Sequence, residues 1–208
     1  MEEALATAVS EKESLLHELN HRVKNSLAMI AGLVGLEMNR SDTESTRESL
    51  HNLHTRITTI ANLYDILIAK SDETTIRLDS YIRKIVESLS SSYISDSESI
   101  VIHTDLSKST IDMKRAATVG LIINELLTNT LKYAFPGRKG IAHVRLSENE
   151  KEYLIEVRDN GIGLPESFDM ANSTGLGSKL VLMLSRQLGG SVRAESGQTT
   201  AFTVTVPK

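Results

Sequence analysis

The sequence predicts an α+β protein in two parts: an antiparallel helical hairpin over residues 1–72, then a mixed-sheet domain with helices on one face over residues 73–208. Three observations predict it. Residues 1–70 hold no Pro, only two Gly, and apolar residues recurring at helical spacing. Beyond residue 75, stretches of two-residue apolar period alternate with stretches of helical period. Two glycine clusters, Gly161/Gly163 and Gly175/Gly177, punctuate the second part.

In the first part, Leu16, Leu19, Val23, Leu27, Ile30 and Val34 make one apolar stripe. Leu50, Leu53, Ile57, Ile60, Leu63 (or Tyr64) and Leu67 make another. Residues 39–45 between them are polar, with good turn and N-cap side chains. Two arms of about 30 residues predict helices of roughly 45 Å. A lone hairpin buries little apolar surface. It gains by pairing with a second copy as a four-helix bundle, or by packing on its own C-terminal part. Residues 71–75, Ser-Asp-Glu-Thr-Thr, read as a hinge.

The second part opens with a helix over 78–92 and a strand over 100–104. A long helix follows over 114–133, stopped near Pro136-Gly137. Residues 142–146 and 153–157 alternate as two antiparallel strands about a turn at 148–151. A helix over 175–188 and strands over 191–194 and 201–206 complete the order.

Bulk composition narrows the function. Apolar residues are 40%, charged residues 24%, and the net charge is −4, with no basic field of the kind general nucleic-acid binders show. Cys is absent, which excludes disulfides and thiolate metal sites and suits a cytoplasmic setting. No apolar run is long enough to span a bilayer.

The long helix carries Glu125, Asn129 and Lys132 at i, i+4 and i+7, with Tyr133 beside Asn129. A carboxylate, an amide, an ammonium and a phenol on one stripe suit a magnesium triphosphate. Mg²⁺ takes oxygen ligands and keeps several waters, so the one amide oxygen of Asn129 suffices on the protein side. Lys132 would neutralise phosphate charge. Val119, Ile122, Ile123, Leu126 and Leu127 form the opposite, core-facing side. Asp159-Asn160-Gly161-Ile162-Gly163 follows a strand. Its carboxylate is placed to accept from an adenine amino group, and Gly161 and Gly163 permit positive φ and close approach to a ligand. Gly175-Leu176-Gly177 opens a helix whose N–H groups suit phosphate. Residues 164–174 between the glycine clusters read as a mobile lid.

This order of parts, ending in Thr200-Ala201-Phe202 on a late strand, resembles the Bergerat ATP-binding fold of histidine kinases, type II topoisomerases, Hsp90-like chaperones and mismatch-repair ATPases. The resemblance covers about residues 77–208. It implies an α/β sandwich that binds ATP and Mg²⁺ through Asn129, Lys132, Tyr133, Asp159, Gly161, Gly163, Gly175, Leu176, Gly177 and Thr200.

Upstream, His21 lies two residues from both Leu19 and Val23, about 200° round the helix, and so points away from that stripe. A neutral imidazole is a competent nucleophile at cellular pH. Asn25 at i+4 is placed to orient it, and Arg22 and Lys24 to attract phosphate. The string Glu18-Leu19-Asn20-His21-Arg22-Val23-Lys24-Asn25-Ser26-Leu27 resembles the phosphoacceptor motif of two-component sensor histidine kinases of the HisKA type 2 and HWE-like group, which carry Arg directly after the His. Residues 124–136 resemble that group's N box. Asn124 stands where the HWE pattern has His, and Trp is absent, so HisKA type 2 fits better. Asn20 and Ser26-Leu27-Ala28 depart from the commonest form and leave the nucleophile intact.

The resemblance implies autophosphorylation of His21 by MgATP, then transfer to an Asp of a response-regulator receiver domain, with the hairpin as homodimer interface and docking surface. The sensor of such a kinase is expected to lie outside this chain. Glu125 and Glu18 are both candidate proton acceptors, because Arg22 stands where commoner kinases place an acid. On chemistry alone His17 and His103 are alternative acceptors. The competing readings are a Bergerat-fold ATPase, an anti-sigma-type Ser/Thr kinase, and a non-catalytic phosphotransfer scaffold.

Overall fold

A computed structural model describes residues 2–68, 75–93, 100–165, 168–173 and 175–208. The chain divides into two compact units, Met1–Thr74 and Thr75–Lys208. The expected hinge falls almost wholly outside the described residues; only its last residue, Thr75, is described.

The first unit is a hairpin of α1 (Glu2–Arg40) and α2 (Glu44–Ile68). The arms are unequal, 39 and 25 residues. The polar turn is tighter than the sequence suggests, because Asn39 and Arg40 stay helical. The Ser41 N–H closes on the Met38 carbonyl at 3.3 Å, and Thr43 Oγ1 accepts from the Thr46 N–H at 3.3 Å as the cap of α2.

The buried line of α1 differs from the expected one. Leu27, Ala31, Val34, Gly35 and Met38 turn inward, and Ala31 and Ile57 are the most buried apolar residues among those described in the unit. Small residues at 31 and 35 let the helices approach; a side chain at Gly35 would touch the His54 ring of α2. Val23 and Ile30, expected inside, are exposed, and Met29, Leu33 and Leu36 form a further exposed apolar line. On α2, Leu50, Ile57 and Ile60 are at least half-buried, whereas Leu53 is exposed. Leu16, Leu19, Leu63, Tyr64 and Leu67 lie outside the described side chains.

The second unit runs β1 (Thr75–Arg77), α3 (Leu78–Tyr93), β2 (Ile100–Leu106), β3 (Thr110–Asp112), α4 (Met113–Asn129), a π turn (Thr130–Ala134), β4 (Gly140–Glu148), β5 (Glu152–Asp159), α5 (Leu176–Gln187), β6 (Ser191–Ser196) and β7 (Thr200–Pro207). The main sheet has the order β2-β4-β5-β7-β6. β2 and β4 are parallel and the other pairs antiparallel. The parallel pair needs a crossover, which α4 supplies. β1 and β3 form a separate antiparallel ribbon that the sequence reading lacks; three residues each are too few to show a period. The β4–β5 turn is held by Asn149, whose Oδ1 accepts from the Lys151 and Glu152 N–H groups at 2.8 and 3.0 Å.

One sheet face is buried under the helices. Ala142, Val144 and Leu146 of β4, Ile155 and Val157 of β5, and Val204 and Val206 of β7 meet Leu78, Ile82 and Ile85 of α3, Val119, Ile122, Ile123, Leu126 and Leu127 of α4, and Val181 and Leu184 of α5 in one core. The other face is open. Across it the register aligns Asp105, Arg145, Glu156, Thr203 and Arg193, one residue per strand. Asp105 pairs with Arg145 at 3.1 Å, and Glu156 with Arg158 at 3.0 Å.

Candidate functional site

The site of the second unit forms where the end of α4 meets the end of β5. Asp112 caps α4, accepting from the Lys114 and Arg115 N–H groups at 2.8 and 3.4 Å. The helix then runs with its apolar stripe in the core as far as Asn129. Beyond it the chain widens into the π turn, a form often found at functional positions.

That change alters the expected stripe. Glu125 is 4% exposed and belongs to the interior, not to a solvated face. Asn129 is half-buried at the helix end. Lys132 lies within the π turn, so regular i+7 spacing from Glu125 no longer describes it; its Nζ sits 5.6 Å from the Tyr93 ring centroid. Tyr133 is exposed.

Asp159 ends β5 on the core-facing side and is 4% exposed. Each carboxylate oxygen has one protein donor. Oδ1 accepts from the Gly161 N–H at 2.9 Å, and Oδ2 accepts from the Thr130 hydroxyl at 3.3 Å. Burial raises its pKa above the ordinary carboxylate value, while the Gly161 N–H and Thr130 O–H pull it back down. A carboxylate has about four acceptor positions, so capacity remains for a ligand amino group. Thr200, also buried, stands directly opposite Asp159 in the β5–β7 register.

The turn after Asp159 is fastened on both sides. Asn160 extends the ladder to β4: its N–H donates to the Ile141 carbonyl at 3.2 Å, and its Oδ1 accepts from the Ile141 N–H at 2.8 Å. The Ile162 N–H donates to the Ala134 carbonyl at 2.9 Å, tying the turn to the end of the π turn. Gly163 has φ +84°, as the sequence suggested. Gly161 does not have a positive φ. Its reason for being glycine is close packing: a Cβ there would collide with the carbonyl oxygen and Cβ of Ala134 and lie 2.8 Å from its carbonyl carbon. The chain's own backbone therefore makes one close approach at this position.

Gly175 precedes α5 in an extended conformation, φ −64° and ψ 132°. Among the described residues no side chain caps the first turn, which includes the buried Gly177. The Leu176 side chain is outside the described set. Of the expected lid, residues 166, 167 and 174 are likewise outside it. Phe168 packs edge-on against Phe202 of β7, centroids 6.2 Å apart, and Asp169 organises a local turn by accepting from the Ala171 N–H at 2.9 Å.

In the first unit, His21 and Asn25 are exposed one turn apart on α1. Glu18 accepts from Arg22 through Nε at 3.0 Å and Nη2 at 2.7 Å. The His17 side chain lies outside the described residues. His103 is on the open sheet face, its ring stacked 5.1 Å from that of His143.

Thr130 escaped the sequence reading. Its signal is a hydroxyl on an apolar stripe, seven residues after Ile123 and four after Leu126. A polar group there demands a partner.

Among the described residues no helix is long and apolar enough to cross a membrane. Two family models match in series: histidine kinase over residues 18–93, and histidine kinase-, DNA gyrase B-, and HSP90-like ATPase over residues 115–208. The chain is 29% identical over 205 residues to blue-light-activated histidine kinase 2 of Erythrobacter litoralis, covering 95% of this chain and 58% of that protein. It is 30% identical over 188 residues to the sensor histidine kinase PdtaS of Mycobacterium tuberculosis, covering 89% of this chain and 37% of that protein. It thus spans less than two thirds of the length of either relative. Among solved structures, the histidine kinase domain of a blue-light-activated histidine kinase from Erythrobacter litoralis EL346 aligns with TM-score 0.68 at 28% identity, covering 95% of each chain. A kinase-family helical segment followed by an ATPase-family domain that can bind ATP, in one order along one chain, leads to one conclusion: this protein belongs to the histidine kinases.

Proposed function

We propose that this chain autophosphorylates on His21, with ATP held by residues 73–208, and passes the phosphoryl group to an Asp of a response-regulator receiver domain. The observation that carries the reading is the exposed imidazole of His21 on the histidine-kinase segment, in a chain whose ATPase domain buries Asp159 with acceptor capacity to spare.

In this reading Asp159 accepts from the adenine amino group, with Thr200 beside it. Gly161 and Gly163 shape the turn, and the N–H groups at Gly175, Leu176 and Gly177 face phosphate. Lys132 and Tyr133 flank the triphosphate. The Asn129 amide oxygen would hold Mg²⁺, whose charge offsets that of the phosphates. The His21 imidazole nitrogen forms a bond to the γ-phosphorus as the bond to the β-bridging oxygen breaks, and ADP leaves. The imidazole proton must go to a base. Glu18, three residues from His21 on the same helix, suits this better than the buried Glu125. Asn25 orients the ring. The reading carries a cytoplasmic location for this part of the protein.

The test is incorporation of label from γ-³²P-ATP. Asn129→Ala is expected to lower the incorporation rate by about 10²–10³-fold, the range for removing one electrostatic contact to transferring charge. Acid-stable label, or hydrolysis without label, would instead favour a Ser/Thr kinase or a simple ATPase.

The hairpin is assigned as the homodimer interface on the exposed line Met29, Leu33 and Leu36, at 68%, 61% and 63% exposure and i, i+4, i+7 spacing. Leu33→Glu is expected to raise the dimer dissociation constant at least tenfold in sedimentation equilibrium. An unchanged dimer would place the interface elsewhere.

A further inference from the structure

Four hydroxyls on the helices of this chain bond to their own backbone one turn back. Ser26, Thr55, Thr59 and Thr118 each donate to the carbonyl four residues back on their own helix, at 2.9, 2.9, 2.9 and 3.4 Å. This is the local bond expected of Ser and Thr in helices. Thr130 does otherwise. It is buried, it opens the π turn, and its hydroxyl donates across to Oδ2 of Asp159, 29 positions on. Its backbone N–H is shared between the Leu126 and Leu127 carbonyls, while its hydroxyl turns away from the helix to the carboxylate.

The π turn faces the Asp159 turn at both ends. Thr130 at its start bonds the carboxylate, and Ala134 at its close accepts from the Ile162 N–H. The carboxylate is therefore held by two donors on different segments. Gly161 fixes one oxygen and Thr130 the other, which sets the plane in which the remaining lone pairs lie.

We propose that Thr130 is a positioning residue that sets the choice of adenine over 6-oxopurines, by orienting the Asp159 carboxylate toward the base. The proposal rests on the reading that Asp159 meets the purine edge. An adenine amino group donates at position 6, whereas hypoxanthine and guanine carry an acceptor oxygen there. A carboxylate fixed with its lone pairs toward that edge attracts the first and repels the second. Without the Thr130 hydroxyl the carboxylate is free to turn, and a buried carboxyl with one donor fewer takes up a proton more readily. Either change weakens adenine, and a protonated carboxyl also donates to a 6-oxo group. A polar site that matches one hydrogen-bonding pattern discriminates strongly, and it loses that power when the pattern blurs.

The test is calorimetric titration of the full chain with ADP and with IDP, both with Mg²⁺, for wild type, Thr130→Val, Thr130→Ser and Asp159→Asn. Val keeps the shape and removes the donor; Ser keeps the donor. The expected result is an ADP affinity about tenfold weaker in Thr130→Val, the scale of one hydrogen bond. IDP should change less than about threefold, so the preference for ADP shrinks about tenfold. Thr130→Ser should keep the wild-type preference to within about threefold. Equal weakening of ADP and IDP in Thr130→Val, no change in either, or a Ser variant as impaired as Val would each overturn the role of Thr130. If Thr130→Val does not fold, the Ser result decides. Asp159→Asn separates the two levels. Its amide can donate to a 6-oxo group, so its preference should move toward IDP. If Asp159→Asn keeps the wild-type preference, or wild type binds neither nucleotide, the adenine assignment of Asp159 fails and the proposal with it.

Discussion

His21→Gln is expected to reduce acid-labile ³²P incorporation to background, a loss of at least about 10³-fold, while ADP binding stays within about twofold of wild type. The two parts of that outcome come from different units of the chain. The proposed nucleophile sits on α1 in the first unit, and the proposed adenine, Mg²⁺ and phosphate-binding residues from Asn129 to Thr200 sit in the second. Gln keeps the length and polarity of an exposed helical side chain and is a good helix former, so the hairpin should be unaffected. What it lacks is a nitrogen lone pair that attacks phosphorus. His103, stacked on His143, and His17 remain in the variant. Residual acid-labile label at more than about a tenth of the wild-type level would mean that one of them is the acceptor. Loss of both label and ADP binding would point to a folding defect.

Gly161→Ala is expected to destabilise the second unit by about 2–3 kcal/mol, at the upper end of the usual cost of overpacking. Its melting temperature should fall by roughly 7–10 °C, and nucleotide binding should be lost at ordinary concentrations. A methyl group there meets the carbonyl and Cβ of Ala134, and neither can swing aside as a long side chain would. To make room, the Asp159 turn must leave the π turn. That breaks the Ile162 N–H bond to Ala134 at 2.9 Å and moves the Gly161 N–H away from Asp159. Gly197→Ala is the matched control, since a Cβ there meets nothing within 4 Å; its effect should be under about 0.5 kcal/mol. Equal melting temperatures for the two variants would show that the turn does not rest on Ala134.

The two predictions differ in how far the sequence alone reaches. The helices and strands around the sheet are legible because each has one buried face. β5, for instance, alternates Tyr153, Ile155, Val157 and Asp159 inward. The same alternation carries Asp159 to the core side, and Thr200 comes opposite it through pairing of β5 with β7. Helix α1 misleads because it has apolar residues on more than one face. Periodicity counts such faces without saying which one meets α2, and the small residues Ala31 and Gly35 decide that. The π turn is not legible at all. Residues 130–134, Thr-Leu-Lys-Tyr-Ala, contain no helix breaker, and the widening accompanies a bond from Ala134 to a residue 28 positions later. Gly161 shows a further limit: a glycine in a sequence does not say whether it makes room for a ligand or for its own chain, and here the room it makes for Ala134 is what the fold requires.

The open face of the sheet bears on how these molecules behave in company. A sheet covered on one side only leaves a broad plane that in many proteins would carry a second layer. Here the plane carries two ion pairs closed within the sheet, Asp105 with Arg145 and Glu156 with Arg158, beside an exposed apolar pair, Val101 and Ile141, that are opposite each other in the β2–β4 register. Covering the charged part would strip water from ions already satisfied. The charged part therefore acts as a spacer between molecules: at high concentration these faces meet wet, and any association across them is expected at the Val101–Ile141 end, toward the β2 edge.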